Sequence, residues 1–200
     1  MDVPTGDAKA RILAATLRII DASGAASVTV RRVAADARVN VAAVNYHFGN
    51  KEGLIRQALQ SLMGSFFAAF DLLNGQDDPK IRLKAFLKAY IASALRYPDI
   101  VRSVIGLTAG QDMAGGRMEA QAADEYERFA RTAGMERVAD VVGQISGRTY
   151  RPDLAIMTMQ MMSSLTVPLL AGQAVRRVTG IDLVDPEMRD RYIDLLVDRL

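Results

Sequence analysis

Two helix starts written close together, each with the same paired signal, constrain this chain most. They lie in residues 28–51, VTVRRVAADARVNVAAVNYHFGNK. The hydroxyl of Thr29 can accept from the free N–H groups of a first helical turn, and Val28 just before it is spaced to pack against Val33. The device then repeats: Asn40 can cap a second helix, with Val39 spaced to meet Val44. The sequence therefore predicts two short helices joined by a tight turn at Arg38, with a long amphipathic helix starting near Lys51.

At about 100° per residue, Val30, Val33, Ala34 and Ala37 share one side of the first helix, and Arg31 and Ala35 point away. On the second, Val44 and Phe48 share a face, leaving Ala42 and Tyr46 opposite, flanked by Ala43 and Asn45. A solvent-facing helix usually carries Glu and Lys on its outer side. This one is small and polar there, as suits a helix pressed into a DNA major groove, where short residues admit the backbone and a few hydrogen-bonding tips read base edges.

These residues resemble the DNA-binding domain of the TetR family of bacterial transcription regulators. The resemblance runs from Ile12 to Leu59 and is carried by Ile12-Leu13-Ala14-Ala15, Gly24, Thr29-Val30-Arg31-Arg32-Val33-Ala34, Val39, Val44-Asn45-Tyr46-His47-Phe48 and Lys51-Glu52-Gly53-Leu54. Two positions depart from the family pattern: Arg38 stands where Gly is usual, and Asn45 where an aromatic is commoner. A non-glycine residue in the left-handed region costs on the order of 1 kcal/mol, which packing of the flanking helices can absorb.

The resemblance implies an all-α protein, with a three-helix helix-turn-helix domain over residues 1–50 and a helical effector-binding and dimerisation domain over residues 51–200. It also implies a homodimer that sets its two second helices in successive major grooves, about 34 Å apart, on a palindromic double-stranded DNA operator. The expected DNA-facing residues are Thr29, Arg31, Asn40, Val41, Ala42, Ala43, Asn45, Tyr46, His47 and Lys51. Arg31 is placed to reach a guanine edge, Asn45 and Tyr46 to read bases or hold the backbone, and Val41, Ala42 and Ala43 to meet thymine methyl groups. Thr29, His47 and Lys51 suit phosphates, although Thr29 as a plain helix cap and His47 as a helix C-terminal cap are compatible readings.

Composition agrees. Two hundred residues, half of them hydrophobic, can bury a core of ordinary size. Strand signals are poor and apolar spacings of three and four dominate. With no cysteine there is no disulfide framework, and the polar N-terminus MDVPTGDAKAR lacks an export signal, so a bacterial cytoplasmic location is expected. The net charge of +2 is unevenly spread: residues 1–56 hold eight Lys or Arg against five Asp or Glu, and residues 57–200 hold seventeen against eighteen. The basic excess lies with the helix-turn-helix, as polyanion binding would require, though solvated surface is as ordinary an explanation.

Beyond the motif, punctuation predicts helices over residues 51–73, 79–97, 99–109, 117–133, 135–146, 153–178 and 186–200, with a mobile glycine-rich loop at 110–116 and a kink or break at Pro168. Residues 154–175 carry no charge, but Gln160, Ser163, Ser164, Thr166, Pro168 and Gln173 interrupt the run and no aromatic belt flanks it, so a membrane span is the weaker reading. Burial on all sides is the stronger one. In the resembled family the last two long helices form a four-helix interface with their symmetry mates, which assigns that role to residues 153–178 and 186–200.

Met157, Met159, Met161 and Met162 crowd this same helix, either as core filler or as the wall of a malleable pocket. An apolar effector pocket is expected from Phe66, Phe67, Phe70, Phe86, Tyr90, Met118, Tyr126, Met161 and Leu165, with simple core as the alternative. Catalysis is not expected. A single histidine, His47, and no cysteine leave no zinc cluster and no nucleophile–base triad in one chain, GQDMAGG lacks the ending of a phosphate loop, and no cofactor is implied. The rival to a ligand-responsive repressor is a helical small-molecule-binding protein that has lost its operator.

Overall fold

The computed structural model describes residues 5–101 and 134–200, and no strand occurs among them. The helices are α1 (Thr5–Ser23), α2 (Val30–Ala37), α3 (Val41–Phe48), α4 (Lys51–Asp71), α5 (Pro79–Arg96), α6 (Met135–Ser146), α7 (Arg151–Leu170), α8 (Gly172–Thr179) and α9 (Pro186–Val197), with a 3-10 turn at Ala25–Ser27. Residues 98–101 are also helical. The remainder of the helix expected at 99–109, the loop at 110–116 and the helix at 117–133 lie outside the described residues. The described residues group into two compact units: one holds residues up to Gly64 with 99–101, the other Ser65–Pro98 with 134–200. The boundary falls inside α4.

In the first unit α1 packs on α2 and α3, and α2 on α3. Helices of eight residues have little stability alone, so their apolar faces must be covered. Ile12 and Ala15 from α1, Val28, Val33 and Val44 from the motif, and Leu54 and Ala58 from α4 are almost wholly buried. Each valine, leucine or isoleucine so buried contributes roughly 1.5–3 kcal/mol. Thr16 is buried among them, and its hydroxyl donates to the Ile12 carbonyl at 2.8 Å, so no polar group is stranded there. The Asp21 carboxylate at the end of α1 accepts from the backbone N–H groups of Asp99 and Ile100, which fastens residues 99–101 to this unit.

The second unit is organised around α5, which packs against α6, α7 and α9. Asp78 caps α5 at Lys80, Pro79 supplies its first turn, and Leu83, Phe86, Leu87, Tyr90, Ile91 and Ala94 form the inward stripe at the spacing of a helix with one broad buried face. Arg82 staples the approach to α5: its guanidinium donates to the carbonyls of Leu73 and Asp77 and to the Gln144 side-chain oxygen on α6. On the opposite side Lys84 bridges Asp194 and Asp198 of α9, at 2.7 and 3.4 Å, and Lys88 meets Asp190 at 2.9 Å. The hydrogen bond between Lys84 and Asp194 raises the lysine pKa and lowers that of the carboxylate.

One expectation for the apolar helix needs correction. The break comes at Ala171, where φ is −117° and ψ is 30°, and not at Pro168, which lies inside α7. Proline has no N–H, so the Ser164 carbonyl four residues earlier loses its intrahelical donor. The Tyr192 hydroxyl from α9 donates to that carbonyl at 2.8 Å and takes the missing partner's place. Within the single chain one face of this helix is covered. Leu154, Thr158, Met161, Leu165 and Leu169 form its buried stripe, while Ile156 and Val167 are 50% and 58% exposed. By length and composition alone α7 is apolar enough to cross a membrane, but its inward stripe packs within the second unit.

Replacing Tyr192 by Phe should cost about 1–2 kcal/mol in urea denaturation, because the Ser164 carbonyl is left without a donor. The same substitution made together with Pro168→Ala, which restores an N–H at position 168, should cost clearly less. The Lys84–Asp194 pair should also leave a pH signature. The lowered Asp194 pKa means its share of stability is complete above the ordinary carboxylate value of 3.8 and disappears as pH falls through the folded value. The raised Lys84 pKa means its share is complete below 10.5 and is lost as pH rises through the folded value. Urea midpoints of Asp194→Asn should therefore lack the acid-side part of the wild-type decline.

Candidate nucleic-acid interface

Both sequence-predicted caps are formed. The Arg32 N–H donates to Thr29 Oγ1 at 3.2 Å, and the Ala43 N–H to Asn40 Oδ1 at 2.6 Å. Between them α2 ends at Arg38, whose φ of 55° and ψ of 51° make it the one non-glycine residue with positive φ among the described residues. The Val39 N–H then bonds back to the Ala34 carbonyl at 3.0 Å, and the Arg38 N–H to Ala35 at 3.2 Å. This left-handed closure satisfies the last carbonyls of α2 and turns the chain straight into α3.

The start of α4 rests on two residues whose roles the sequence reading missed. Asn50 Oδ1 accepts from the Gly53 N–H at 2.7 Å, making Asn50 the cap of α4. A Cβ on Gly53 would lie 2.5 Å from the Phe48 carbonyl oxygen, so only glycine lets α4 begin this close to the end of α3. An Asn followed three residues later by a Gly was the available signal. Lys51, half-buried at this start, donates from Nζ to the Ala26 carbonyl at 3.2 Å, so among the described residues one of its three donors is committed and two are not.

The outward flank of α3 is as the periodicity places it. Val44 and Phe48 are buried; Val41, Ala42, Asn45 and Tyr46 are exposed, Ala43 and His47 partly so, and Tyr46 is 84% exposed. Tyr46 and His47 meet edge to face with ring centroids 5.3 Å apart. Arg31 and Thr29, at the head of α2, are exposed as well. The residues expected to face DNA thus belong to α2, α3, their caps and the head of α4. Opposite them Arg18 pairs with Asp36 at 2.6 Å and Arg11 donates to the Ala37 carbonyl, so those two arginines fasten α1 to α2.

The residues expected at an effector site divide. Phe66, Phe70, Phe86 and Tyr90 come together as one buried aromatic cluster, with centroid separations from 4.8 Å (Phe70–Phe86) to 6.4 Å (Phe70–Tyr90). Phe67 is half-buried, and Met161 and Leu165 sit on the buried stripe of α7. Met118 and Tyr126 lie outside the described residues. A cavity of about 740 Å³ opens elsewhere in the second unit, lined by residues of α6 and α7 that include none of those expected at the site.

Three short helices with a capped, outward-facing third member make the first unit a helix-turn-helix domain of the DNA-binding type. Residues 12–58 match the family model described as bacterial regulatory proteins, tetR family. The HTH-type transcriptional regulator BetI of Burkholderia ambifaria is 31% identical over 83 residues, which is 40% of this chain and 43% of that protein. The match therefore spans less than half the length of such curated relatives. Among solved structures, the TetR family regulator PfmR from Thermus thermophilus aligns over 94% of this chain and 97% of its own with a TM-score of 0.60 at 20% identity. A TetR-like regulator from Rhodococcus sp. RHA1 aligns over 99% and 97% with a TM-score of 0.64 at 12% identity. At such identities the likeness is one of fold. Residues 12–58 are thus a tetR-type DNA-binding domain by sequence, and the all-helical fold of such regulators is shared along the chain.

Arg38→Gly should raise stability by about 0.5–1 kcal/mol in chemical denaturation, the relief of left-handed strain exceeding the extra unfolded-state entropy of glycine. A loss of stability would show that the Arg38 side chain holds the turn by contacts of its own.

Proposed function

We propose that this protein is a homodimeric transcription regulator that binds a palindromic DNA operator, represses from it, and is released when a small apolar effector occupies its C-terminal domain. The exposed flank of α3 carries the reading. A tyrosine 84% exposed on a capped helix, beside alanines small enough to admit a duplex wall, buries little in its own unit and has the dimensions for a major groove. Arg31 and the uncommitted donors of Lys51 flank it from α2 and α4, where phosphates would pass. The family-model match of residues 12–58 and the regulator relatives point the same way.

Dimerisation is assigned to α7 and α9, within residues 153–178 and 186–200. Ile156 and Val167 on the outer arc of α7 and Leu195 on α9 are exposed apolar side chains of the sort a second copy would cover. Effector coupling of the usual size, about 1–3 kcal/mol or 5- to 150-fold in operator affinity, would need only a small tilt of α4, which runs through both units. A cytoplasmic location follows from this role.

The operator is found by sequencing the fragments of sheared genomic DNA that the protein retains, and affinities are then read by fluorescence anisotropy at several salt concentrations. Tyr46→Ala should weaken operator binding by tenfold or more with no change in thermal midpoint, in keeping with about 1–3 kcal/mol per base contact. Lys51→Gln should lower the slope of log affinity against log salt by about two, one phosphate contact from each subunit. A chain that retains no particular sequence, or whose binding ignores salt, is the helical small-molecule binder instead.

A further inference from the structure

Thr158 lines the cavity between α6 and α7, is only 3% exposed, and its Oγ1 has no hydrogen-bond partner among the described residues. Threonine in a helix commonly satisfies itself on the carbonyl one turn back, and elsewhere in this chain it does so: Thr16 bonds Ile12, Thr166 bonds Met162 and Thr179 bonds Val175. At Thr158 the equivalent acceptor would be Leu154, and the bond is not made. A buried hydroxyl left unpaired is destabilising unless something else meets it.

The surroundings say what could. At about 100° per residue, the α7 side chains on the lining, among them Ala155, Met159 and Met162, fall on an arc of their own. That arc is roughly 90° round the helix from the buried stripe and short of the outer face bearing Ile156 and Val167. From α6 come Met135, Ala139 and the charged Glu136, and the lining as a whole is more apolar than polar. Three methionines give it adaptable shape, and about 740 Å³ is within the range of sites for small molecules.

We propose that this cavity is the effector site, and that it takes a small, mainly apolar molecule whose single hydrogen-bonding group, a hydroxyl or carbonyl, meets Thr158 Oγ1. The proposal rests on the effector-responsive reading above and names its site. The methionine-rich helix then serves two ends on two arcs, a ligand wall on one and a subunit face on the next.

The test uses the full-length protein, with 1-decanol and its hydroxyl-free analogue 1-chlorodecane as probes in displacement of N-phenyl-1-naphthylamine fluorescence. Wild type should bind 1-decanol about tenfold more tightly than Thr158→Val, the usual size for one neutral hydrogen bond, while 1-chlorodecane should bind both alike. Without ligand, Thr158→Val should melt no lower than wild type, since it removes a hydroxyl that makes no bond. Ala155→Trp, which places an indole in the cavity from an exposed position, should abolish binding of both probes and leave the sedimentation coefficient unchanged. Equal 1-decanol affinity in wild type and Thr158→Val, or dissociation of the dimer in Ala155→Trp with probe binding intact, overturns the proposal. Operator affinity of wild type measured without probe stands apart from all of these, so failure of the site and failure of the regulator reading are told apart.

Discussion

The geometry of the DNA-facing unit depends on one backbone closure, the return of the Val39 N–H to the Ala34 carbonyl around a left-handed Arg38. It ends α2, fixes the direction in which α3 leaves and positions Asn40 to cap it. With that direction set, Val44 and Phe48 turn into the core beneath α1, and the opposite flank has nowhere to point but outward. A strained residue persists here because packing on both sides over-determines it. Gly53 plays the complementary part at the far end of α3, where the absence of a Cβ lets the Phe48 carbonyl and the first turn of α4 approach. The rigid presentation of Tyr46 is thus the product of two turns, one strained and one stripped of its side chain.

The second unit is held by a different device. Its helices meet through the aliphatic and aromatic stripe of α5, but their ends are fixed by polar groups that answer one another's missing partners. Arg82 collects the Leu73 and Asp77 carbonyls between α4 and α5, and Tyr192 supplies the donor that Pro168 removes from α7. The second contact explains how a proline can sit in the last turn of a helix without ending it there. Carbonyls that would be costly to bury unpaired become the sites at which one helix recognises another. Thr158 is the conspicuous exception, a buried hydroxyl answered by nothing among the described residues.

The helix-turn-helix was legible in the sequence because caps, staples and turns are local. Thr29, Val28, Val33, Asn40, Val39 and Val44 announce two helix starts within a few residues of one another, and each cap is formed where the pattern puts it. Sidedness was legible for the same reason, since period 3.6 alone separates Val44 and Phe48 from Ala42 and Tyr46. Asn50 and Gly53 went unread because their roles depend on the distance between α4 and the Phe48 carbonyl, which no periodicity encodes. The end of α7 was misplaced because the consequence of Pro168 is decided by Tyr192, twenty-four positions further on.

The chain by itself settled that it is helical, where its short helices begin, and which flank of α3 faces away from the core, because those properties follow from neighbours within one or two turns. Tertiary structure alone decided that Phe66, Phe70, Phe86 and Tyr90 pack against one another, and that a cavity opens between α6 and α7. Apolar side chains at helical spacing look the same whether they fill a core or line a cavity. Only the distances between helices, set by every residue in the interface at once, tell the two apart.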